Sequence, residues 1–112
     1  MKEGVKILVE TRKESNLSQE DFAKILFTTG RTIARWEKGE NRPNGLVMIR
    51  LYELDELFSL AKEVIKQEKV YQWFSSPNPV LGGNTPFSIL GTPWGIQKVK
   101  DLLGKIEWGI MP

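Results

Sequence analysis

The amino-acid sequence predicts an all-α protein made of two small helical modules. Apolar residues recur at intervals of three and four through most of the chain. Residues that cap helices stand before several of these periodic segments, and no segment shows the alternation typical of strands. The 112 residues suffice for one ordinary domain or two small ones. We place the two modules at residues 1–57 and 58–112.

The first module should contain three short helices. Residues 5–14 carry apolar side chains at helical spacing and form the first of them. Ser18 is a suitable N-cap for a second helix over about residues 19–26. Thr29 can cap a third helix over about residues 30–38, because its hydroxyl can accept from a free amide of the first turn.

The predicted third helix separates an apolar face from a basic one. Ile33 and Trp36 lie three residues apart and should face the core, and Gly39 is placed to end the helix in a left-handed conformation. The segment 24–50 holds six basic and two acidic residues, a net charge of +4 in a chain whose total is only +2. A local basic strip of this kind is typical of a phosphate-facing surface.

The remaining elements are also helical or turn-like. Apolar residues keep helical spacing over residues 46–65, as one helix or as two that meet near residue 54. The later elements are, in order, a short helix that ends at Ser75, a loop rich in turn residues over 77–86, a helical turn over 87–90, and a last helix over about 93–108 with Thr92 as N-cap and Pro93 in first position. We expect Trp73 and Trp94 to belong to the core of the second module.

The composition excludes several kinds of chemistry. The chain has no cysteine and no histidine, which removes disulfides, imidazole bases and the common zinc sites. We find no catalytic constellation, so we expect no enzyme activity, no cofactor and no metal. No apolar run approaches the roughly 18 residues of a membrane span, and the first residues do not form a signal peptide. We therefore expect a cytoplasmic protein without a membrane partner.

The first module has the layout of a helix-turn-helix, whose second helix lies in the major groove. Arg31 and Arg35 share a face of the helix, and each could donate two hydrogen bonds to a guanine. Such a pairing is worth about 1–3 kcal/mol of discrimination against the wrong base. The other candidate DNA-binding residues are Gln19 at the start of the second helix, Thr29 and Thr32 near phosphate or sugar, Lys38, and Arg42 on the backbone from the following loop. The alternative is an ordinary helical pair with a solvated basic face.

Two segments of this module resemble a known family. LSQEDFA at residues 17–23 and RTIARWEKG at residues 31–39 are similar to the signature of the Cro/CI-type (Xre) helix-turn-helix family. The resemblance covers about residues 8–57 and implies a helical bundle that binds double-stranded operator DNA. The family often has glycine where Phe27 stands. Because one short helix contacts few base pairs, we expect a homodimer on a two-fold site.

The second module resembles the Xre/MbcA/ParS toxin-binding domain from about residue 57 to the end. The resemblance is carried by WF at 73–74, PNPVLGG at 77–83, TP at 85–86 and LLGKIEWG at 102–109. That domain occurs in antitoxins paired with RES-domain toxins, which degrade NAD. The resemblance implies an antitoxin that represses its own operon and whose tail packs against the toxin near its NAD-binding cleft. The candidate toxin-binding residues are Glu107, Trp108, Gly109, Ile110 and Met111.

Two other functions fit the same residues. The chain could be a stand-alone Cro/CI-type repressor whose C-terminal half is a dimerisation domain. A weaker alternative is an accessory or scaffold protein with a vestigial DNA-binding module. The apolar residues at the chain end favour a protein partner, because aromatic residues and methionine are enriched in interfaces.

Overall fold

The computed structural model describes residues 2–107, and at residues 2, 3 and 107 it describes the backbone alone. Over this range the protein is all-α, as predicted, with six α-helices, two 3₁₀ turns and no strand. The helices are α1 (Lys2–Ser15), α2 (Gln19–Ile25), α3 (Gly30–Glu37), α4 (Gly45–Val64), α5 (Gln67–Ser75) and α6 (Pro93–Glu107), and the 3₁₀ turns Pro79–Leu81 and Phe87–Ile89 lie between the last two.

The chain divides into two compact units, Met1–Glu56 and Leu57–Pro112. The apolar segment that the sequence left open as one helix or two is the single helix α4. None of the helices in the described part of the chain is both long and apolar enough to cross a membrane.

The core of the first unit is formed by apolar side chains from all four of its helices. Leu8, Phe22, Ile33, Leu51 and Leu54 have no exposed surface. Complete burial of an aliphatic or aromatic side chain is worth about 1.5–3 kcal/mol, so these five residues supply much of the driving force for packing the short helices together. Helices of seven and eight residues such as α2 and α3 depend on this packing, because they are too short to be stable alone.

Both predicted N-caps of the first unit are confirmed. The Ser18 hydroxyl accepts a hydrogen bond from the Asp21 amide at 3.1 Å, and the Thr29 hydroxyl accepts one from the Thr32 amide at 3.2 Å. Each bond satisfies an amide that the helix itself leaves without a partner. The caps therefore determine where α2 and α3 begin.

The C-terminal ends of α2 and α3 share one backbone arrangement. Gly39 adopts a φ of 78°, as predicted, and the Glu40 amide donates to the Arg35 carbonyl at 3.0 Å. Phe27 adopts the same left-handed conformation with a φ of 56°, and the Thr28 amide donates to the Ala23 carbonyl at 3.0 Å. The turn therefore keeps the geometry for which glycine is the usual residue, although a phenylalanine occupies the position.

The second unit is built around an aromatic cluster. The ring of Phe74 lies 5.2 Å from that of Phe58 and 5.1 Å from that of Phe87, measured between centroids. Val99 and Leu103 bring α6 into the same core and are fully buried. The predicted cap of α6 is confirmed, because the amide of the third helical residue donates to the Thr92 hydroxyl at 3.0 Å and proline occupies the first position.

The loop that contains PNPVLGG is closed by its own hydrogen bonds. The Asn78 side chain accepts from the Val80 amide at 3.0 Å, and the Asn78 carbonyl accepts from the Gly83 amide at 2.9 Å. Gly82 and Gly83 have φ values of 68° and 87°, which explains two consecutive glycines at this point. The Asn84 carbonyl accepts from the Asn78 amide at 3.0 Å and completes the closure. The motif therefore specifies a defined loop.

Candidate functional site

The outward face of α3 presents a pair of arginines. Arg31 and Arg35 are both exposed, while Ile33 is fully buried and Trp36 is 8% exposed, as the sequence predicts. Residues four apart on a helix have Cβ atoms about 5–6 Å from each other, so the two guanidinium groups can reach neighbouring bases. Lys38, at the C-cap of the helix, is exposed as well.

Thr29 and Thr32 are linked at the start of α3. Their hydroxyl oxygens lie 3.1 Å apart, and the Thr29 oxygen also accepts from the Thr32 amide. Because the pair uses only one of its two hydroxyl protons, the other proton is available to an acceptor such as a phosphate oxygen. The geometry holds both residues at the end of the helix that a helix-turn-helix directs at DNA.

Gly30, the first residue of α3, lies against the start of α2. A Cβ added there would lie 3.0 Å from Glu20 Cγ and 3.3 Å from Glu20 Cα, closer than most such contacts. The absence of a side chain therefore permits the close approach of the two helices. The same absence removes one position from which a base could be contacted, so Arg31 and Arg35 carry more of the expected readout.

A hydrogen-bonded ion pair connects α1 to α3. Arg12 Nε donates to Glu37 Oε2 at 2.6 Å, and a terminal guanidinium nitrogen donates to Glu37 Oε1 at 3.1 Å. The Gln19 amide nitrogen donates to the same Oε1 at 2.9 Å and adds the start of α2. Glu37 therefore accepts hydrogen bonds from α1 and α2 and connects both helices to α3.

The pKa of Glu37 lies below its usual value of 4.5. Burial raises the pKa by penalising the charged carboxylate, but hydrogen bonds from Arg12 and Gln19 and the positive charge of Arg12 together outweigh it. The carboxylate is therefore ionised near neutral pH and keeps its bonds to both neighbours.

Arg12 and Glu37 were not predicted to form a pair. They lie 25 residues apart, and nothing in the local pattern of either segment indicates the other. One signal was present: Arg12 follows Leu8 by four residues and so shares the inward face of α1, where a charged group requires a partner.

Two candidate phosphate contacts lie at the borders of the helix pair. Gln19 is half-buried, and one hydrogen of its amide is used by Glu37, which leaves a second hydrogen for another acceptor. Arg42 is exposed in the connector between α3 and α4. Asn44 fixes the end of this connector, because its side chain accepts from the Val47 amide at 3.0 Å.

Exposed apolar side chains mark the surface of the second unit. Trp94 is 66% exposed, with Lys98 Nζ 4.9 Å from the ring centroid, so the expectation that it belongs to the core is wrong. The reason is helical geometry, since Trp94 precedes the buried Ile96 by two residues and so points to the other side of α6. Trp73 is half-buried and packs on Phe74 with 5.0 Å between ring centroids.

The candidate toxin-binding residues fall at the limit of the described chain. Glu107 is the last residue of α6, and nothing is described of its side chain. Trp108, Gly109, Ile110 and Met111 lie outside the described residues. Within the described range, no group of three or more acidic, histidine or cysteine residues could hold a metal ion.

Two family models match the chain, one for each half. Residues 8–54 match a helix-turn-helix model, and residues 54–109 match a model described as the antitoxin Xre/MbcA/ParS C-terminal toxin-binding domain. The second match covers half of the chain.

The chain is also similar to individual proteins over its length. It is 29% identical to the mycobacterial cidal antitoxin MbcA of Mycobacterium bovis and Mycobacterium tuberculosis, covering 96% of this chain and 97% of the relative. A shorter match of 38 residues is 42% identical to the antitoxin HigA-2 of Vibrio cholerae and covers 34% of this chain and 36% of that protein.

A solved structure shares the fold. It is the crystal structure of the M. tuberculosis MbcT–MbcA toxin–antitoxin complex. One chain of that structure matches this chain with a TM-score of 0.81 at 24% identity, over 96% of both chains. At this level of identity the likeness concerns the fold.

Proposed function

Because the chain belongs to the antitoxin family defined by the Xre/MbcA/ParS C-terminal toxin-binding domain, we propose that it neutralises a RES-type, NAD-degrading toxin and represses its own operon. The chain is an antitoxin of a toxin–antitoxin system and carries a helix-turn-helix DNA-binding domain.

The observation that supports operator binding is the arrangement of α3. Its inward side chains are buried and its first turn is capped by Thr29, while Arg31 and Arg35 are exposed on one face. An arginine near the start of a recognition helix can donate two hydrogen bonds to guanine O6 and N7 in the major groove. We assign base reading to these two residues, and phosphate or sugar contacts to Gln19, Thr29, Thr32, Lys38 and Arg42.

Operator binding by this domain should require a homodimer. An eight-residue helix contacts only a few base pairs, which is too little for a specific site, whereas two copies on a two-fold operator double the contacts. Operator binding would also place the protein in the cytoplasm, beside the chromosome.

We propose that the second unit binds the toxin and catalyses no reaction itself. Its family model is described as toxin-binding, and the MbcA relative is part of a toxin–antitoxin complex. The exposed Trp94 and, in the tail, Trp108 and Met111 are of residue types that are enriched in protein interfaces. We propose that the tail packs against the toxin near its NAD-binding cleft and blocks the substrate.

The first test concerns α3. Arg31→Ala and Arg35→Ala should each weaken operator binding by about 1–3 kcal/mol and relax base preference, because each removes a pair of hydrogen bonds to one base. Gel-shift titrations at fixed salt, on the DNA upstream of the gene and on singly mutated versions of it, measure both effects. Lys105→Ala is the control, since Lys105 is an exposed cation of the second unit. Wild-type binding by both α3 variants would refute the assignment.

The second test concerns the tail. Deleting residues 108–112 should release toxin activity while the described helices remain folded, because the deletion starts beyond the end of α6. Cellular NAD is measured after co-expression with the toxin of the same operon, and circular dichroism of the purified variant checks the fold. Retained operator binding is the internal control. A truncated chain that still protects cellular NAD would contradict the role of the tail.

A further inference from the structure

The side chain of Gln19, at the start of α2, is held by a residue of α3. Its amide nitrogen donates to Glu37 Oε1 at 2.9 Å, and Arg12 donates to both oxygens of the same carboxylate at 2.6 and 3.1 Å. Gln19 and Glu37 are 18 residues apart in the chain and meet where α2 packs on α3. Gln19 is half-buried, so its amide has a partner inside the unit and is also accessible from outside.

The Glu37 carboxylate determines which atom of the Gln19 amide faces it. An ionised carboxylate accepts hydrogen bonds and donates none, so only the amide nitrogen can be its neighbour. Although burial raises it, the hydrogen bonds from Arg12 and Gln19 keep the pKa of Glu37 below 4.5, and the carboxylate is ionised near neutral pH. One N–H of the amide is therefore bound to Glu37, which leaves the second N–H and the carbonyl oxygen for other partners.

The carboxylate of Glu37 is itself fixed in place. Arg12 Nε and one terminal nitrogen bind its two oxygens, and the other terminal nitrogen of Arg12 donates to the Leu17 carbonyl at 3.0 Å. Two parallel bonds from one guanidinium group fix the plane of a carboxylate as well as its position. Gln19 is therefore bonded to a group whose position and plane are both set by the packing of α1.

The backbone on either side of Gln19 is held as well. The Ser18 hydroxyl caps α2 just before it by accepting from the Asp21 amide at 3.1 Å. Just after it, Gly30 of α3 lies so close to Glu20 that an added Cβ would be 3.0 Å from Glu20 Cγ. The main chain and the amide of Gln19 therefore both have fixed positions relative to α3.

An amide that is fixed before DNA arrives is a better ligand for DNA. A free glutamine side chain is among those that lose the most rotamer freedom when they are immobilised. Here this loss is incurred on folding, so it does not reduce the affinity for DNA. A phosphate oxygen is a suitable acceptor for the second N–H, because hydrogen bonds to a charged acceptor are stronger than those to a neutral one.

We propose that Glu37 is a positioning residue for DNA binding, which holds the Gln19 amide so that its second N–H donates to a phosphate oxygen of the operator. The inference rests on the proposed function, which assigns Gln19 to the DNA backbone. Its predicted effect is opposite to the effect of charge. Removing a negative charge from α3 should by itself strengthen binding to phosphates, whereas removing the support of Gln19 should weaken binding.

The decisive variant is Glu37→Gln, studied in the full chain at pH 7 and well below its melting temperature. A second amide can face Gln19 with either its oxygen or its nitrogen, so the orientation of Gln19 is no longer determined. Fluorescence anisotropy at fixed salt should show that the affinity for the upstream DNA falls about tenfold. The loss should be the same on singly mutated versions of that DNA, because a phosphate contact does not distinguish bases.

Glu40→Gln is the matched control. It makes the same chemical change at an exposed residue three positions later in the chain, so it reports the effect of the charge alone. This variant should bind DNA as tightly as the wild type or more tightly. If Glu37→Gln behaves like Glu40→Gln, Glu37 does not position a DNA contact and the inference is overturned.

A double-mutant cycle separates positioning from a general loosening of the helices. Gln19→Ala should weaken binding about tenfold, and adding Glu37→Gln to it should cause no further loss, since the side chain that Glu37 positions is already gone. A general loosening would instead add its own loss to that of Gln19→Ala. Additive losses in the cycle would therefore contradict the inference.

NMR of the Gln19 side chain separates this inference from the proposed function. Its two N–H signals, identified by their absence in Gln19→Ala, should move in Glu37→Gln, stay in place in Glu40→Gln, and move again when the upstream DNA is added to the wild type. If the wild type binds DNA but these signals do not respond to it, the operator role stands and the positioning role is wrong. If the wild type binds no upstream DNA, the operator role fails and the inference fails with it.

Discussion

Glu37 connects the three helices α1, α2 and α3 through one largely buried side chain. Its carboxylate accepts hydrogen bonds from Arg12 of α1 and Gln19 of α2, and Arg12 also donates to the Leu17 carbonyl at 3.0 Å. The side chain of Glu37 is 13% exposed, so these bonds are only weakly screened by water. Loss of the carboxylate would leave a partly buried guanidinium without its charged partner.

We expect the stability of the first unit to depend on the ionisation of Glu37. Because the pKa in the folded state lies below the usual value of 4.5, the carboxylate stabilises the fold fully above that value. The contribution is lost as the pH falls below 4.5 and passes through the folded-state pKa. Glu37→Gln should therefore destabilise the unit by about 1–3 kcal/mol at pH 7, with a smaller difference from the wild type at low pH.

Urea unfolding at a series of pH values measures this difference. Asp21→Asn is the control, because the ion pair of Asp21 with Lys24 spans 3.4 Å between exposed side chains and should contribute little. An equal difference between Glu37→Gln and the wild type at pH 7 and at pH 3 would contradict the linkage.

At the scale of single residues, the sequence predicted the positions that depend on local chemistry. Ser18 and Thr29 are caps because a hydroxyl at that point satisfies an amide three residues away. Arg12 could not be assigned to Glu37, since that contact depends on how three helices pack. The residue type of Phe27 argues against its left-handed backbone, and only the glycine that the resembled family often has at this position pointed to it.

Gly95 determines how closely the start of α6 approaches the preceding 3₁₀ turn. A Cβ built at this position would lie 1.6 Å from the carbonyl oxygen of Ile89 and 2.7 Å from its carbonyl carbon. Both atoms belong to the backbone, so no side-chain rotation can relieve the contact. The packing of α6 in the second unit therefore requires glycine at residue 95.

Gly95→Ala should destabilise the second unit by about 3 kcal/mol or more, because α6 must move away from the turn. Gly104→Ala in the same helix is the matched control. Among the described residues, no atom outside the backbone of α6 itself lies within 4 Å of a Cβ added there, so alanine should stabilise the helix by about 0.5–1 kcal/mol. Thermal unfolding followed by circular dichroism compares the two variants. Similar melting temperatures for both would show that the close approach is not required.

At the scale of elements, the helices were predictable because periodicity and capping are properties of short segments. Observed α2 and α3 begin at the predicted residues and end one residue earlier than predicted. The sequence did not predict whether α4 is one helix or two, since the spacing of its apolar residues fits both arrangements. The exposure of Trp94 does not follow from its residue type, but its spacing of two residues from Ile96 on the apolar side of α6 indicates it.

At the scale of the whole molecule, the distribution of charge is more informative than its sum. The segment 24–50 carries a net charge of +4, so the remainder of the chain carries −2. Attraction to a phosphate backbone is therefore concentrated on the segment that contains α3 and the connector after it. Such binding weakens with salt because each neutralised phosphate releases condensed counterions.

We expect Arg42→Ala to weaken binding nearly equally on all DNA sequences, because Arg42 is an exposed residue assigned to the backbone. A plot of the logarithm of affinity against the logarithm of salt concentration has a negative slope. The steepness of this slope should decrease by about one for each protomer. Fluorescence anisotropy on operator and unrelated duplexes at several salt concentrations measures the slope, and Arg42→Lys should retain it. A loss of affinity confined to one operator base pair would identify Arg42 as a base-reading residue.

Gly30 has a consequence for how related antitoxin systems can diverge within one genome. Paralogous operons remain independent only if their operators are told apart, and new recognition usually arises by substitution on the reader helix. Substitution at position 30 is restricted, because an added Cβ would lie 3.0 Å from Glu20 Cγ and 3.3 Å from Glu20 Cα, so Glu20 would have to shift. Divergence should therefore proceed more readily through the proposed base-reading positions 31 and 35. We therefore expect duplicated copies that keep this glycine to explore a narrow range of operators and to cross-regulate until one of those arginines changes.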